Sequence, residues 1–307
     1  MNASHSSGNL TADKRADYAR MLSESGDFQA AADLMLQALE LAPVWAAGWY
    51  ELAKHLEKSG RTEEAVSAYR TVLGLNPDDR YGARLKISQI TGESVPAEPQ
   101  TAYVEALFDH YAADFDTALT GRLRYRAPEL IAEMITRHIG DKPFDYAIDL
   151  GCGTGLMAQA LAGKAQNLSG IDLSAAMLAK AKARGLYRGL LKADLVDGLG
   201  QLPPADLIVA ADVFVYFPGL ERVFEAVNDK LRPDGIFAFS VERLESDVPF
   251  ALQKSLRHAH SEDYIRTLLE VNGLRLLGLE TAALRRDRDV DITGLLFVAQ
   301  KLTATDG

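Results

Sequence analysis

The sequence predicts an α/β protein in which a small all-helical domain precedes a doubly wound parallel sheet. Three observations predict this fold class. The first 80 residues repeat at a spacing of 34, five short apolar segments alternate with helix-length segments after residue 140, and 307 residues suffice for two domains. With 48% hydrophobic and 25% charged residues, the chain has the composition of a globular protein.

Composition also narrows the classes of function. The chain carries 33 basic and 43 acidic side chains, a net charge of −10, and so lacks the cationic surface that a nucleic-acid partner requires. Its apolar stretches end well short of the roughly 18 residues that cross a bilayer, so we expect no membrane partner. The single cysteine, Cys152, excludes an internal disulfide and a thiolate zinc cage. No secretory signal is evident, and a cytoplasmic location is expected.

Residues 1–91 contain the repeat. Small and turn-forming residues recur 34 positions apart, as the pairs Gly26 and Gly60, Ala31 and Ala65, and Pro43 and Pro77. This pattern resembles the tetratricopeptide repeat, in which two antiparallel helices approach at a small residue and a proline ends the second. The resemblance covers residues 12–79, implies two repeats, and leaves a further helix over 79–91 as a cap. Because two repeats bury little surface alone, we expect a protein partner or self-association through this domain.

A linker is predicted over residues 92–100, which contain two prolines and two acids without periodicity. The α/β domain is predicted over residues 101–307. The final apolar segments, 274–284 and 292–300, are joined by a charged stretch too short for a helix, which favours a closing antiparallel hairpin. The remaining strands are predicted as short buried segments at 146–150, 168–173, 190–195, 207–211 and 236–241.

The strongest chemical signal is Asp149-Leu-Gly-Cys-Gly-Thr-Gly155, between the first predicted strand and a helix predicted over 156–161. Glycines at such a turn let the backbone approach a ligand and aim amides at it. A dinucleotide fingerprint would need glycine at position 156, which is Leu156, and a phosphate loop would need Ser or Thr where Ala165 stands. Asp149 would also repel a pyrophosphate and suits a cationic group.

This Asp-x-Gly-x-Gly-x-Gly segment resembles the first motif of the class I S-adenosyl-L-methionine-dependent methyltransferases, and four later segments are similar in order. The resemblance covers residues 101–307 and implies a Rossmann-like seven-stranded sheet whose last strand is antiparallel. It implies that Asp172 binds both ribose hydroxyls and that Asp194 accepts from the adenine amino group. The cofactor-binding residues that it implies are Asp149, Gly151, Cys152, Gly153, Gly155, Asp172, Leu173, Met177, Asp194, Leu195, Ala211, Asp212, Val213, Tyr103 and Tyr111.

Lid helices are predicted over residues 101–140, ahead of the sheet, with the second near 119–135. In many methyltransferases that act on small molecules an aromatic helix here covers the cofactor, so the resemblance makes Tyr103, His110, Tyr111 and Phe115 candidates for a lid. An ordinary amphipathic helix with a buried aromatic face explains the same spacing equally well.

Two histidines, His258 and His260, are predicted to lie on a loop before a helix that begins near Ser261. In this architecture that loop is on the substrate side, which makes His260 a candidate general base near neutral pH. A histidine without a chemical role is the alternative. Together with His260, the candidate catalytic residues are Asp212 and Tyr111. No third ligand accompanies the His-x-His pair, so no metal site is predicted.

The predicted reaction is direct displacement of the sulfonium methyl by a nucleophile held in line, with S-adenosyl-L-homocysteine as the product. Because the sulfonium is already activated, the protein mainly supplies alignment. A small molecule or a protein side chain is the expected acceptor. The alternative is an adaptor, in which the repeats bind a protein and a catalytically weak second domain senses the cofactor.

Overall fold

The computed structural model describes residues 6–94, 99–112, 124–287 and 290–303. The chain divides into two compact units, Met1–Val95 and Pro96–Gly307. Residues 95–98 of the predicted linker, and Phe115 and residues 119–123 of the predicted lid, lie outside the described residues. No helix among the described residues is long and apolar enough to cross a membrane.

The first unit is made of helical pairs. Side chains cap the first two helices: the Asn9 side chain accepts from the amides of Thr11 and Ala12 in α1, and the Asp27 side chain accepts from the amide of Ala30 in α2. The repeated alanines, Ala31 and Ala65, are fully buried, as close helix packing requires. The helices are α1 (Leu10–Glu24), α2 (Phe28–Leu41), α3 (Ala46–Lys58), α4 (Thr62–Leu75) and α5 (Ala83–Thr91).

The last helix of this unit begins four residues later than the sequence predicts. Asp79 is 1% exposed, and its carboxylate accepts from the backbone amides of Ala83 at 2.7 Å and Arg84 at 2.9 Å. Gly82, with φ +73°, turns the chain between them. Asp79 therefore caps α5 from outside it, and residues 79–82 form the turn before the helix.

The second unit is an α/β sheet with helices on both faces. Five parallel strands run in the order β3-β2-β1-β4-β5, and β9 pairs antiparallel with both β5 and β8. This confirms the predicted seven-stranded core and its antiparallel last strand. The strands are β1 (Phe144–Leu150), β2 (Ala165–Asp172), β3 (Gly189–Lys192), β4 (Ala205–Ala210), β5 (Leu231–Arg243), β6 (Phe250–Leu252), β7 (His258–His260), β8 (Leu274–Asp287) and β9 (Val290–Lys301).

The helices of this unit precede the sheet or connect its strands. Among the described residues, the helix directly before β1 begins at Ala127, with proline in its first turn. The described helices are α6 (Thr101–Tyr111), α7 (Ala127–Ile139), α8 (Leu156–Ala160), α9 (Ala175–Arg184), α10 (Leu195–Gln201), α11 (Glu221–Lys230) and α12 (Glu262–Val271).

Two departures from the predicted strands affect the site. The third strand ends at Lys192 rather than at 195, because Asp194 caps α10 by accepting from the amide of Val196 at 3.0 Å. The segment between β5 and α12 contains a short hairpin, in which β6 pairs with β7 and β7 pairs in parallel with the end of β5. The sheet over the described residues thus has nine strands.

An aromatic cluster fixes the chain that follows β4. Phe214 begins a buried 3-10 turn and packs edge-on against Phe237 and Phe239 of β5, with ring centroids 6.2 and 5.6 Å away. Phe239 in turn stacks on Phe297 of β9 at 5.0 Å. All four rings are 0 to 1% exposed. Burial of this many aromatic side chains holds the β4 loop, which carries Asp212, in one position.

Candidate active site

The glycine segment forms the turn from β1 to α8. Gly151, Gly153 and Gly155 all have positive φ, of +62°, +53° and +92°. The amide of Cys152 donates to the carbonyl of Ile171 at 2.9 Å, which ties the turn to β2. A Cβ on Gly151 would come within 2.3 Å of Val213, so the loops after β1 and β4 touch only because this residue has no side chain.

Asp172 ends β2 and faces the same turn. Its carboxylate accepts from the amides of Gly153 and Ser174, each at 2.8 Å, and the residue is 8% exposed. Burial raises the pKa of Asp172, while these two backbone bonds oppose the rise. Each carboxylate oxygen accepts one of these hydrogen bonds and can accept another from a hydroxyl group of a ligand.

Asp149, at the end of β1, is nearly inaccessible, with 1% of its surface exposed. Burial raises its pKa to about 7, although the hydroxyl of Tyr187 donates to the carboxylate at 2.6 Å and opposes the rise. The nearby Asp172 raises it further. A cationic group placed beside Asp149 would favour the ionised carboxylate.

These residues open onto one cavity of about 1010 Å³ including its mouth. Its walls come from the turns after β1, β2 and β4, from α6 and from the chain before β7. The lining residues used below are Thr101, Val104, Phe108, Tyr125, Asp149, Gly151, Cys152, Gly153, Leu156, Met157, Asp172, Leu173, Leu195, Ala211, Asp212, Val213, Tyr216, Phe217 and Arg257.

The wall after β4 carries a buried charge cluster. Asp212 has φ +56°, a left-handed conformation that aspartate tolerates better than most residues, and its amide donates to the hydroxyl of Ser240 at 3.0 Å. Arg285 of β8 pairs with the Asp212 carboxylate at 2.6 Å and, through its other terminal nitrogen, with Glu242 of β5. Arg257 lies farther from the same acids, at 3.9 and 3.8 Å.

Most of the predicted cofactor residues meet at this cavity. Ten of them line it, namely Asp149, Gly151, Cys152, Gly153, Asp172, Leu173, Leu195, Ala211, Asp212 and Val213. Gly155 lies beside it as the residue before α8, and Met177 is buried in the first turn of α9. Asp194 caps α10. These three are not among the residues that line the cavity.

Two predicted lid residues lie off the cavity. Tyr111 is 56% exposed at the end of α6, and Tyr103 packs partly buried against the core. The face of α6 that borders the cavity carries Thr101, Val104 and Phe108 instead. The same helix is held to α9 by Asp109, whose carboxylate accepts from the hydroxyl of Ser174 at 2.6 Å.

The predicted loop at His258 and His260 is wrong, because both residues belong to strand β7. Both side chains are buried, with 3% and 0% exposed, and burial lowers the pKa of each to about 4. The Nε2 of His260 lies 3.1 Å from two carbonyl oxygens, those of Phe217 and Pro218. Since carbonyls only accept, Nε2 carries a proton and cannot act as a base. His260 is also absent from the cavity wall.

Sequence reasoning did not single out five residues that shape the site: Arg257, Arg285, Glu242, Tyr125 and Tyr187. Each comes from a segment distant in the chain from the motif that it supports, as in the bond from Tyr125 to the carbonyl of Ala211 at 3.3 Å. The strand-by-strand motif order gave no signal for them. The nearest signal in the sequence is the charged run from 285 to 291, which predicts only a connection between the last two strands.

Comparison with known proteins agrees with this geometry. Residues 148–237 match the family described as methyltransferase domain, and residues 22–86 match tetratricopeptide repeat. The probable S-adenosylmethionine-dependent methyltransferase CRG1 of Saccharomyces cerevisiae is 28% identical over 64% of this chain and 69% of that protein. The second unit contains a methyltransferase domain. Its cofactor is S-adenosylmethionine, and tetratricopeptide repeats precede it.

Other relatives match this methyltransferase domain over shorter spans. Methyltransferase-like protein 27 of Homo sapiens is 37% identical over 30% of this chain and 38% of that protein. Trans-aconitate 2-methyltransferase of Rhizobium rhizogenes is 34% identical over 32% of this chain and 38% of its own length. The chain thus spans well under half the length of these two relatives. The [4+2]-cyclase SpnF shares the fold, with a TM-score of 0.55 at 16% identity, covering 69% of this chain and 100% of that one.

Proposed function

We propose that the methyltransferase domain transfers the methyl group of S-adenosylmethionine to a small molecule bound in the same cavity, by in-line displacement. One observation carries the proposal: a single cavity joins the acids after β1 and β2 to the polar wall after β4. A cofactor held beside the acids and an acceptor held at the polar wall would therefore share one space.

The residues of the cavity fit the cofactor. Asp172 offers two carboxylate oxygens to the vicinal hydroxyls of a ribose, and its position is fixed by two backbone bonds. The buried Asp149 supplies a negative charge for a cationic group. Leu173 and Leu195 provide apolar surface on the side of β2 and β3, where a base would lie. Asp194 remains a proposed contact of the adenine amino group.

The chain's own contribution to the reaction would be alignment and exclusion of water. The cofactor, when bound, supplies an activated sulfonium methyl. Val104 and Phe108 of α6, with Leu156 and Met157 of α8, make the cavity wall largely apolar. Holding two reactants in line in such a space accounts for roughly 7 to 11 kcal/mol of a barrier.

No strong base among the described wall residues is needed for this proposal. The Asp212 carboxylate is bonded to Arg285 at 2.6 Å, which fixes its position on the wall. Asp212 would then orient an acceptor hydroxyl or amine. Tyr111 and His260, the other two candidates, lie off the cavity wall.

The test combines cofactor binding with turnover. Calorimetry on the full-length protein is expected to show S-adenosylmethionine binding that Asp172→Ala weakens at least tenfold, whereas Asp229→Ala, on the exposed surface of α11, leaves it unchanged. A panel of small acceptors that includes trans-aconitate is then screened for acceptor-dependent formation of S-adenosylhomocysteine. Equal binding by wild type and Asp172→Ala would refute the site.

The adaptor hypothesis makes a different prediction for the same screen. A domain that only senses the cofactor would bind S-adenosylmethionine through Asp172 and release no S-adenosylhomocysteine with any acceptor.

The repeats favour a binding role of their own, because Leu10, Tyr18 and Met21 of α1 are 72%, 62% and 61% exposed. If the full chain self-associates in sedimentation and Tyr18→Glu abolishes this association, the exposed face of α1 is the interface. If Tyr18→Glu leaves the sedimentation profile unchanged, that face is not the interface.

A further inference from the structure

The methyl acceptor is proposed to bind at the polar wall after β4, which is called the acceptor wall below. Among the described residues that line the cavity, Arg257 is the one permanent cation, and it lies at this wall. Its side chain is 27% exposed, so the guanidinium group is largely withdrawn from water but still reaches the cavity. A guanidinium in such a place needs hydrogen-bond acceptors around its five N–H groups. The hydrogen-bond acceptors that the protein supplies to Arg257 therefore determine how many acceptors a ligand must supply.

The protein leaves much of this hydrogen-bonding capacity unused. The two nearby acids, Asp212 and Glu242, are bonded directly to Arg285, which is almost fully buried with a side-chain exposure of 4%. The guanidinium of Arg257 is 3.9 and 3.8 Å from the same two carboxylates, beyond hydrogen-bond distance. The two arginines thus divide the roles: Arg285 neutralises the acids, and Arg257 keeps donors for another anion.

Tyr216 holds Arg257 in place. The guanidinium carbon lies 5.7 Å from the centre of the tyrosine ring. Tyr216 itself is 8% exposed and packs edge-on against Phe108 of α6. A guanidinium that is fixed against a buried ring presents its remaining donors in one direction, which suits a planar, bidentate partner.

We propose that the methyl acceptor is a small carboxylic acid whose carboxylate binds Arg257 and whose separate hydroxyl or amino group receives the methyl, with release of S-adenosylhomocysteine and of a proton to water. The inference rests on the proposed function, since it names the acceptor of the same site. A carboxylate matches the planar fork of the guanidinium and adds one negative charge to a cluster of two arginines and two acids. A dianionic phosphate would place a second negative charge beside Asp212, which disfavours it. The apolar wall at Val104, Phe108 and Phe217 suits a hydrocarbon or aromatic body.

The test compares acids with their amides. Carboxylic acids that carry a separate hydroxyl or amino group to receive the methyl, among them 4-hydroxyphenylacetate, are each paired with the primary amide of the same skeleton and assayed with the full-length protein for acceptor-dependent S-adenosylhomocysteine. Wild type is expected to prefer the acid at least tenfold in kcat/KM. Arg257→Met is expected to remove the preference mainly through a higher KM for the acid, and Arg257→Lys to restore part of it. The matched control is Arg243→Met, at an exposed arginine paired with Glu245.

Binding measurements separate this inference from the proposed function. Calorimetry on the protein saturated with S-adenosylhomocysteine measures affinity for the same acids and amides without turnover. Acid binding that depends on Arg257 supports the inference even when no acceptor is methylated, a result that would count against the proposed function alone. Equal affinity for acid and amide in wild type overturns the inference. So does weaker S-adenosylmethionine binding by a folded Arg257→Met, because Arg257 would then serve the cofactor.

Discussion

Asp149 allows a test of the electrostatics of the cofactor site in the absence of any ligand. Burial raises its pKa from the ordinary 3.8 to about 7, so the folded protein binds a proton there more tightly than the unfolded chain does. The unfolded state is then more deprotonated, and Asp149 makes the fold less stable as the pH rises from about 4 to 7. The raised pKa of Asp149 destabilises the fold by about 4 kcal/mol above pH 7 and by about 2 kcal/mol at pH 5.

Asp149→Asn removes this titration and keeps an oxygen that accepts from the hydroxyl of Tyr187. Relative to wild type, the variant is therefore expected to gain roughly 2.5 kcal/mol of stability between pH 5 and pH 8. Hydrogen exchange of the buried β1 amides, such as those of Ala147 and Leu150, measures this within the methyltransferase domain. Tryptophan fluorescence would not, because Trp45 and Trp49 both belong to the repeats.

Comparison of variant and wild type at the same pH cancels the intrinsic pH dependence of exchange. Asp229→Asn, at an exposed aspartate of α11, is the control and is expected to show no difference between the two pH values. A constant loss of protection in Asp149→Asn at both pH values would refute the argument. It would mean that Asp149 is ionised throughout and stabilises the fold through its bond to Tyr187.

Three further substitutions test how the site is held. Arg285→Met leaves two buried carboxylates without their close partner, so we expect a loss of about 3 to 5 kcal/mol in urea unfolding, and a loss below about 1 kcal/mol would contradict the buried pairing. Ser174→Ala removes the cap of α9 and the bond to Asp109, and exchange in α9 is expected to show a loss of about 1 kcal/mol; unchanged protection would argue against the cap. Gly170→Ala would place a Cβ 2.7 Å from the sulfur of Cys152, so a thermal scan is expected to show about 1 to 3 kcal/mol of destabilisation, and an unaltered midpoint would mean that the thiol moves aside freely.

Much of the sheet and of the cofactor side was predictable because the signals are local. A continuous apolar strand such as β4, followed by a turn, is recognisable in a window of ten residues. The acids Asp149 and Asp172 stand at strand ends, next to glycine or a capping serine, and their chemistry follows from that placement. The structure brings both to one cavity, together with most of the residues that the motif order implied.

The acceptor side was not predictable in the same way because its contacts are long-range. Asp212 and Arg285 are 73 positions apart, and nothing near either residue indicates the pairing. The short strand β7 has three residues, two of them histidines, and so shows no apolar alternation that would distinguish it from a loop. Burial of His260 away from the cavity, with its Nε2 against two carbonyls, depends on how that hairpin packs.

The position of Arg285 on β8 has a consequence for how the domain matures. During synthesis every lining residue of the cavity emerges before β8, including Asp212, while the arginine that neutralises Asp212 and Glu242 arrives with the closing hairpin. Until that hairpin pairs with β5, only Arg257, at 3.9 and 3.8 Å, lies close enough to offset the charges of Asp212 and Glu242. A carboxyl-terminally clipped domain would therefore lack the arginine that fixes both acids in the finished wall.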